Sequence, residues 1–372
     1  MSIGSHYAAH TLGALKSTIK QEMDISNRQY GVLQSSVSVV NTIIPVLGGI
    51  LIDAMGTGIG SLATTFLIVT GNALTSLSTH SNSFGLMVLG RVIYGLGSGT
   101  VTTAQETILG HWFMGRGLAI TLAFQLASSR LASFLSMSTT VPIMRFFDNF
   151  YGAAFWAATF VCFLSFLSNL GYVALLKHIE RTQAANEGAV TAEERARRLA
   201  VMKRKKRFDF RQMTILPFLA WTIIIQSFII GSGCTTYLHI LPELIKLRFG
   251  VSEEVASWEA SMSQTIPIIT MPFLGILLDK YGRRCTMIVL SAVLFTVSVS
   301  LLGFTDMQPI IGSLIFSFAL TLGPLSEVSA IPLVVHPGAL GTAYGLFKSA
   351  QNIGNTWVDV IIGHLQDIKE KK

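Results

Sequence analysis

Charge is scarce in this chain. Of its 372 residues, 13% are Asp, Glu, Lys or Arg, whereas 51% are apolar. A soluble globular chain carries about a quarter charged residues, and a disordered chain is poor in apolar ones. The composition therefore excludes a disordered protein, a nucleic-acid-binding tail protein and an ordinary cytosolic enzyme. It favours a protein that is embedded in a lipid bilayer.

Cysteine and catalytic motifs are also scarce. The three cysteines, Cys162, Cys234 and Cys285, lie in or beside apolar stretches, and their spacing fits neither a disulfide framework nor a metal site. Neither the phosphate-binding pattern G-x-x-x-x-G-K-[ST] nor the zinc pattern H-E-x-x-H occurs. We therefore expect no enzyme, no ATP-driven pump, no cofactor, no metal and no nucleic-acid partner.

Long uncharged stretches recur along the sequence. A membrane span needs about 20 mostly apolar residues, and it must be helical because lipid cannot satisfy free backbone groups. The apolar runs predict ten complete helices, at 30–52, 58–79, 84–108, 117–140, 152–176, 212–238, 257–278, 284–304, 309–333 and 341–364. The predicted fold class is an all-α polytopic membrane protein.

A basic stretch separates five of these helices from the other five. Lys177–Arg211 holds eleven of the 27 Lys and Arg residues and five acids. Loops rich in Lys and Arg stay in the cytosol, so the stretch is predicted to set the topology, and its core, 203–207, to lie near anionic lipid heads. The predicted organisation is an N-terminal transmembrane half (1–176), a cytosolic linker (177–211) and a C-terminal transmembrane half (212–372).

The motif G-x-x-x-D-x-x-G ends one span in each half. Its two copies consist of Gly49, Asp53 and Gly56, and of Gly275, Asp279 and Gly282 with Arg283 and Arg284 after them. The glycines permit close packing and a tight turn, and the Asp can bond backbone amides or face the N-terminus of a neighbouring helix. Two copies at matching points indicate a duplicated transporter architecture.

These features together resemble the major facilitator superfamily. The two motif copies, the basic middle loop and the segment Gly90–Gly95 (sequence GRVIYG) carry that resemblance. A narrower resemblance, to the lysosomal dipeptide transporter branch, is carried by Ala104-Gln105, His111-Trp112-Phe113, the stretch from Phe124 to Arg130, Leu340–Gly345 and Gln351-Asn352.

The resemblance implies a fold of two pseudo-symmetric helical halves and transport of short peptides by alternating access. It also implies a lysosomal or vacuolar membrane and a glycosylated accessory membrane protein as a partner. The ten helices then fill family positions two to eleven, with residues 4–20 as the outer tail of helix one. We therefore expect a chain truncated at both ends. A truncated non-transporting or regulatory membrane protein and a carrier of another organic anion stay open as alternatives.

Arg130 is the first candidate for a substrate-binding residue. An ionisable group inside a membrane helix usually faces the bundle interior, and a guanidinium can clamp a carboxylate with two parallel hydrogen bonds. The resemblance implies that Arg130 contacts substrate, and we add Gln125, Gln351 and Asn352 as predicted substrate-binding residues. An ion pair that locks two helices together is the structural alternative for Arg130.

The resemblance has one gap. The dipeptide branch places an acid in the fourth helix, suited to a substrate amino group, and this chain has Gly99 at the matching position. Glu106 lies two turns further toward the cytosol, on nearly the same helical face. Glu106 is a candidate for accepting a proton or a cationic substrate, and a salt bridge to Arg116 is the alternative.

The remaining candidates concern conformational change. Arg91 matches the arginine that the superfamily associates with coupling and packing, and both roles stay open. Glu327 and Lys348, in the tenth and eleventh family helices, are predicted to form a gating or structural pair, because pairing offsets the burial of each charge. The two copies of the Asp motif belong to the same group. Passive and proton-linked transport both remain possible, with passive transport favoured because no acid lies centrally.

Overall fold

The computed structural model describes residues 2–186, 216–251 and 253–370, and within them every regular element is a helix. The basic run 203–207 lies outside the described residues. The α-helices are α1 (Ile3–Ala14), α2 (Lys16–Glu22), α3 (Asn27–Met55), α4 (Thr57–Ser81), α5 (Phe84–Phe113), α6 (Leu118–Phe146), α7 (Gly152–Asn186), α8 (Phe218–Gln226), α9 (Ser232–Phe249), α10 (Glu253–Tyr281), α11 (Arg284–Phe304), α12 (Pro309–Val334) and α13 (Leu340–Glu370). A π-helix, Ser227–Gly231, joins α8 to α9, and a short 3₁₀ helix, Pro337–Ala339, precedes α13.

The predicted membrane spans agree with these helices. In the described residues, nine helices are long and apolar enough to cross a membrane, which confirms the all-α polytopic fold class. The tenth predicted span lies within α13, which is helical but is not among those nine. Polar residues, including Lys348 and Asn352, interrupt the apolar character of α13. The observed helices also extend past the predicted ends, as α7 does by continuing to Asn186.

The N-terminal segment, predicted as one helical tail over 4–20, consists of two helices. The α-helical pattern breaks at Leu15, between α1 and α2. Helix α1 packs against α7, where the Gly4 amide donates to the Ser165 hydroxyl over 3.0 Å. The Cys162 thiol donates to the Gly4 carbonyl over 3.3 Å, so this buried cysteine serves helix packing.

Contacts divide the described residues into two compact units, and each unit is discontinuous in sequence. The first unit comprises 2–108, 132–186, residue 216 and 336–346. The second comprises 109–131, 217–251, 253–335 and 347–370. The start of α13 therefore belongs with α3, and the start of α6 belongs with α10. The division into an N-terminal and a C-terminal half stays a prediction.

Polar side chains join α4 to α7 in the first unit. Asn169 donates to the Thr65 hydroxyl over 3.0 Å and accepts from Ser61 over 3.3 Å. Two turns away, Asn72 donates to the Thr159 hydroxyl over 3.1 Å. Hydrogen bonds of this kind hold membrane helices together because lipid offers no competing polar partner.

Small residues join α11 to α12 in the second unit. The Ser291 hydroxyl donates to the Ala319 carbonyl over 2.8 Å, and the Ser298 hydroxyl donates to the Gly312 carbonyl over 2.8 Å. Because serine is small, the two backbones approach closely, and each hydroxyl finds its acceptor on the facing helix.

The glycines of α5 make close helix contacts. A Cβ on Gly90 would lie 2.6 Å from the Thr75 amide nitrogen of α4, and a Cβ on Gly71 of α4 would lie 2.6 Å from the Tyr94 Cα of α5. Gly97 meets α4 in the same way, since its Cβ would lie 2.6 Å from the Thr64 carbonyl oxygen. Gly90 and Gly97 therefore lie on a face of α5 that packs against α4.

Replacing Gly90 with Ala should destabilise the fold by about 1–3 kcal/mol, because the added methyl group overpacks the α4–α5 contact. The measurement is the thermal unfolding of the purified chain in detergent. Gly85→Ala on the same helix is the matched control, because its Cβ would meet nothing within 4 Å. Alanine favours helix, so this control should be neutral or slightly stabilising. Equal losses for the two variants would contradict the packing account.

Candidate functional site

Asp53 holds the beginning of α13. Its carboxylate accepts from the Gly341 amide over 2.9 Å, from the Thr342 amide over 2.7 Å and from the Thr342 hydroxyl over 2.8 Å. The first amides of a helix have no partner within the helix, and the N-terminus favours negative charge. A Cβ on Gly49 would strike the Gly341 carbonyl oxygen, so a residue without a side chain permits this approach.

Asp279 makes the equivalent contact in the second unit. Its two carboxylate oxygens accept from the Ala119 and Ile120 amides at the beginning of α6, each over 3.0 Å. Gly275 is the close-approach glycine here, because its Cβ would lie 2.6 Å from the Ile120 Cα. The two copies of the motif therefore build the same contact twice.

The turn after each Asp explains the rest of the motif. Gly56 has φ +89° and Gly282 has φ +76°, a backbone region that favours glycine. After the second turn, Arg284 places Nη2 3.9 Å from the Asp279 carboxylate, and its Nε donates to the Ser329 hydroxyl over 3.1 Å. Arg283 is exposed.

Arg130 lies 12 residues after the first residue of α6, or roughly 18 Å along the helix axis. Its Nη1 donates to the Gln264 Oε1 of α10 over 3.3 Å, and the side chain is half-buried. No carboxylate forms an ion pair with this guanidinium in the part of the chain that the structure describes. The alternative role of Arg130, an ion pair that locks two helices together, therefore lacks an acidic partner among the described residues.

Gln125 lies on α6, five residues before Arg130 and about 140° away around the helix. The residue is 6% exposed, and neither of its amide atoms has a hydrogen-bond partner among the described residues. A buried amide that lacks partners is unfavourable, so Gln125 is ready to bind a polar group.

The two predicted binding residues of α13 lie in the second unit, as Arg130 does. Gln351 donates to the Thr235 hydroxyl of α9 over 3.4 Å, and Asn352 is half-buried. Within the described ranges, no hydrogen bond joins Gln351 to Arg130. The four predicted substrate-binding residues therefore lie in one unit, and Gln351 and Arg130 do not bond to each other directly.

Glu327 receives its hydrogen bond from a residue that the sequence did not single out. Gln226, the last residue of α8, donates Nε2 to Glu327 Oε1 over 2.8 Å, and Glu327 is 5% exposed. Lys348 is close enough to interact electrostatically with Glu327, and its Nζ lies 5.3 Å from the Phe347 ring centroid. The π-helix begins directly after Gln226, and such segments are frequent at functional sites.

At Gly99, where the family resemblance leads us to expect an acid, a neighbouring side chain lies against the glycine. A Cβ on Gly99 would lie 2.7 Å from the Asn41 Oδ1 of α3, so the Asn41 amide occupies the space beside the glycine. Glu106 is fully buried and lies close enough to interact electrostatically with Tyr344, whereas Arg116 is exposed.

Sequence reasoning missed two contact residues, namely Gln226, the partner of Glu327, and Thr342, the partner of Asp53. The available signal was a polar side chain within an apolar run, which does not identify the partner. Arg91 is buried against the Tyr94 ring, with 5.1 Å between the guanidinium carbon and the ring centroid. The described residues contain no group of three His, Cys, Asp or Glu that could hold a metal ion.

Replacing Asp53 with Ala should lower the free energy of unfolding by about 2 kcal/mol, because three donors at the start of α13 lose a charged acceptor. Chemical or thermal unfolding in detergent measures the loss. Asp306→Ala is the matched control, since Asp306 makes an exposed ion pair with Arg248 at 3.7 Å. Exposed pairs contribute about 0–1 kcal/mol. A control loss as large as that of Asp53→Ala would rule out the helix-capping account.

Exchanging Glu327 and Lys348 tests whether the two charges stabilise each other. Glu327→Lys or Lys348→Glu alone should cost about 3–5 kcal/mol, because each leaves two like charges together in a buried region. The double exchange restores opposite charges and should recover most of the loss in unfolding temperature and in transport. An additive double variant would show that the two residues act independently.

Comparison with known proteins identifies the family. The Major Facilitator Superfamily profile matches residues 2–358. The lysosomal dipeptide transporter MFSD1 of Mus musculus is 26% identical over 381 residues, covering 99% of this chain and 78% of the relative. MFSD1 of Homo sapiens is 25% identical over 376 residues, with the same two coverages.

Solved structures show the same fold. The proton:xylose symporter XylE superposes with a TM-score of 0.73 at 14% identity, covering 99% of this chain and 88% of that one. The human organic anion transporter MFSD10 superposes with a TM-score of 0.67 at 16% identity, covering 96% and 90%. The profile match across nearly the whole length, together with the duplicated Asp motif and the all-helical membrane fold, places the chain in the major facilitator superfamily.

Proposed function

We propose that the chain is a secondary transporter that moves a small organic solute bearing a carboxylate, with a short peptide as the leading candidate, by alternating access. The observation that carries the proposal is Arg130, a guanidinium in a membrane helix with no carboxylate paired to it in the described residues. A bound solute that supplies a carboxylate completes this site.

The chemistry of Arg130 fits a carboxylate better than a neutral solute. A guanidinium offers donors in a planar fork that matches the two oxygens of a carboxylate. Gln264 fixes one edge of the fork by accepting from Nη1, so the other donors stay available for the solute. The name of the relatives, dipeptide transporter, agrees with such a solute.

Amide side chains supply the polar contacts that a peptide group needs. Gln125 has a buried donor and a buried acceptor that lack partners in the described part of the chain. Gln351 and Asn352 add amides on α13 in the same unit. Each amide both donates and accepts, so these residues match the alternating N–H and C=O groups of a short peptide.

The two Asp contacts connect this site to the conformational cycle. Asp279 holds the start of α6, the helix that carries Arg130 and Gln125, and Asp53 holds the start of α13, the helix that carries Gln351. A motion that breaks either contact therefore releases the end of a helix that carries proposed binding residues. We assign to the Asp motif the role of stabilising one closed state of the cycle.

A second candidate solute is an organic anion other than a peptide. Gly99, with Asn41 against it, leaves no acid at the position where the dipeptide branch is expected to bind an amino group. A solute without an ammonium group does not need that acid. A non-transporting or regulatory role is the third candidate, and solute-dependent flux in vesicles separates it from the other two.

The compartment and the partner are part of the same proposal. The names of the relatives support a lysosomal membrane, or a vacuolar one in organisms that have vacuoles. A glycosylated accessory membrane protein remains a proposal from family resemblance alone. Transport stays proposed as passive, with proton-linked transport as the alternative.

Replacing Arg130 with Ala should reduce saturable uptake of a labelled dipeptide into proteoliposomes by about 100-fold or more, because the solute carboxylate loses the charged partner proposed for it. Arg130→Lys keeps the charge and loses the planar fork, so it should lose about 10-fold. An organic anion without an amino group, tested in parallel, distinguishes the first two candidates.

Arg145→Gln is the matched control, because Arg145 lies on the same helix and is exposed. It should transport at the wild-type rate. Normal uptake by a folded Arg130→Ala variant would remove Arg130 from the site. Absence of flux in the wild-type chain with both solutes would favour the non-transporting role.

A further inference from the structure

Arg91 is a second buried guanidinium, and it lies in the first unit. It follows the start of α5 by seven residues and is 3% exposed. Met87, one turn before it, belongs to an apolar cluster with Leu12 and Leu33. Tyr94, one turn after it, belongs to a second apolar cluster. A positive charge therefore lies between two hydrophobic clusters.

Two tyrosines that hydrogen-bond to α1 act on this guanidinium. The Tyr94 ring centroid lies 5.1 Å from the Arg91 guanidinium carbon, and the Tyr94 hydroxyl donates to the Ser5 carbonyl over 2.7 Å. The Tyr30 hydroxyl donates to the Leu12 carbonyl over 3.1 Å. Because both phenolic protons are directed at α1 carbonyls, neither is donated toward an anion beside Arg91.

Among the described residues, no acid balances this charge. The ionisable groups there that act electrostatically on Arg91 are Tyr30 and Tyr94, and a phenol is neutral near pH 7. The Arg91 Nε has no hydrogen-bond partner within the described residues, and no carboxylate there pairs with the guanidinium. A charge in a membrane interior normally has a counter-charge, and attraction to one tyrosine ring is weaker than the cost of removing a guanidinium from water.

We propose that Arg91 binds a small monovalent anion, a halide or a carboxylate, between α1, α3 and α5. The guanidinium supplies the charge and the directed N–H donors, and the tyrosine rings exclude water. The site lies in the first unit, whereas Arg130 lies in the second, so the inference does not depend on the proposed transport site.

The test is the thermal unfolding of the purified full chain with chloride as the probe. Chloride replaces a bulky sulfonate at constant ionic strength, from about 1 mM to about 100 mM, and bound anion should raise the unfolding temperature by a few degrees. Arg91→Gln should abolish the dependence on chloride, and Arg145→Gln, which removes an exposed charge, should keep it. Chloride dependence that is absent from the wild type, or equal in Arg91→Gln, would overturn a halide site.

A second arm separates the two sources of anion. A short peptide or acetate, added in chloride-free buffer, should raise the unfolding temperature of Arg130→Gln, in which the proposed transport site is removed, but not of the double variant Arg130→Gln/Arg91→Gln if a carboxylate is the ligand. Stabilisation of Arg130→Gln by carboxylate without any effect of chloride identifies the carboxylate as the anion and supports the site. No stabilisation of the wild type by either anion overturns the proposal.

A direct measurement covers the case in which Arg91→Gln does not fold. The wild-type chain, crystallised in bromide, should show anomalous scattering within hydrogen-bond reach of the Arg91 guanidinium. A well-ordered guanidinium with only water against it, in crystals grown with bromide and in crystals grown with acetate, would overturn the proposal. It would then leave Arg91 with the packing role.

Discussion

The structure depends on how each charge inside an apolar helix is balanced. An isolated ion in lipid is unfavourable, so the partner of a charged side chain indicates the role of that side chain. The acids on which the site depends have local partners: Asp53 and Asp279 bind helix N-termini, and the buried Glu327 accepts from Gln226 with Lys348 nearby. Arg91 and Arg130 have no paired carboxylate among the described residues.

The duplicated Asp motif uses the helix N-terminus as its counter-charge. A carboxylate there satisfies amides that would otherwise lack partners, and it does so without needing a basic side chain. This explains why the first copy functions as a contact without arginines in its turn, whereas the second adds Arg284 beside Asp279. The two copies share the glycines, the Asp and the backbone amides that the Asp binds. The arginine occurs in the second copy alone.

Local features of the sequence predicted most of the fold. Apolar runs, glycines and charged boundaries located ten helices, because span length and turn chemistry are properties of a short segment. The break at Leu15 and the π-helix at Ser227–Gly231 were not predicted, because each interrupts a run of helix-forming residues without Pro or Gly at the point where it begins.

The site was predicted less completely than the fold, for a related reason. The sequence shows that Glu327 and Arg130 are charges in apolar surroundings, but not that Gln226 and Gln264 bond to them. Partner choice depends on which helix faces meet, and many polar residues in the spans are equivalent before folding. The roles of the predicted binding residues likewise stay proposals. The structure identifies their contacts, whereas a transport measurement is what identifies their function.

The balance of charges bears on the nature of the solute. A zwitterionic peptide brings one carboxylate and one ammonium group, so a guanidinium matches only half of it. Gly99, which packs on Asn41, provides no acid for the ammonium group at that position. The two guanidiniums that lack a paired acid in the described part of the chain, Arg91 and Arg130, are both positively charged. A solute or co-bound ion with net negative charge therefore balances the described helices better than a neutral zwitterion does.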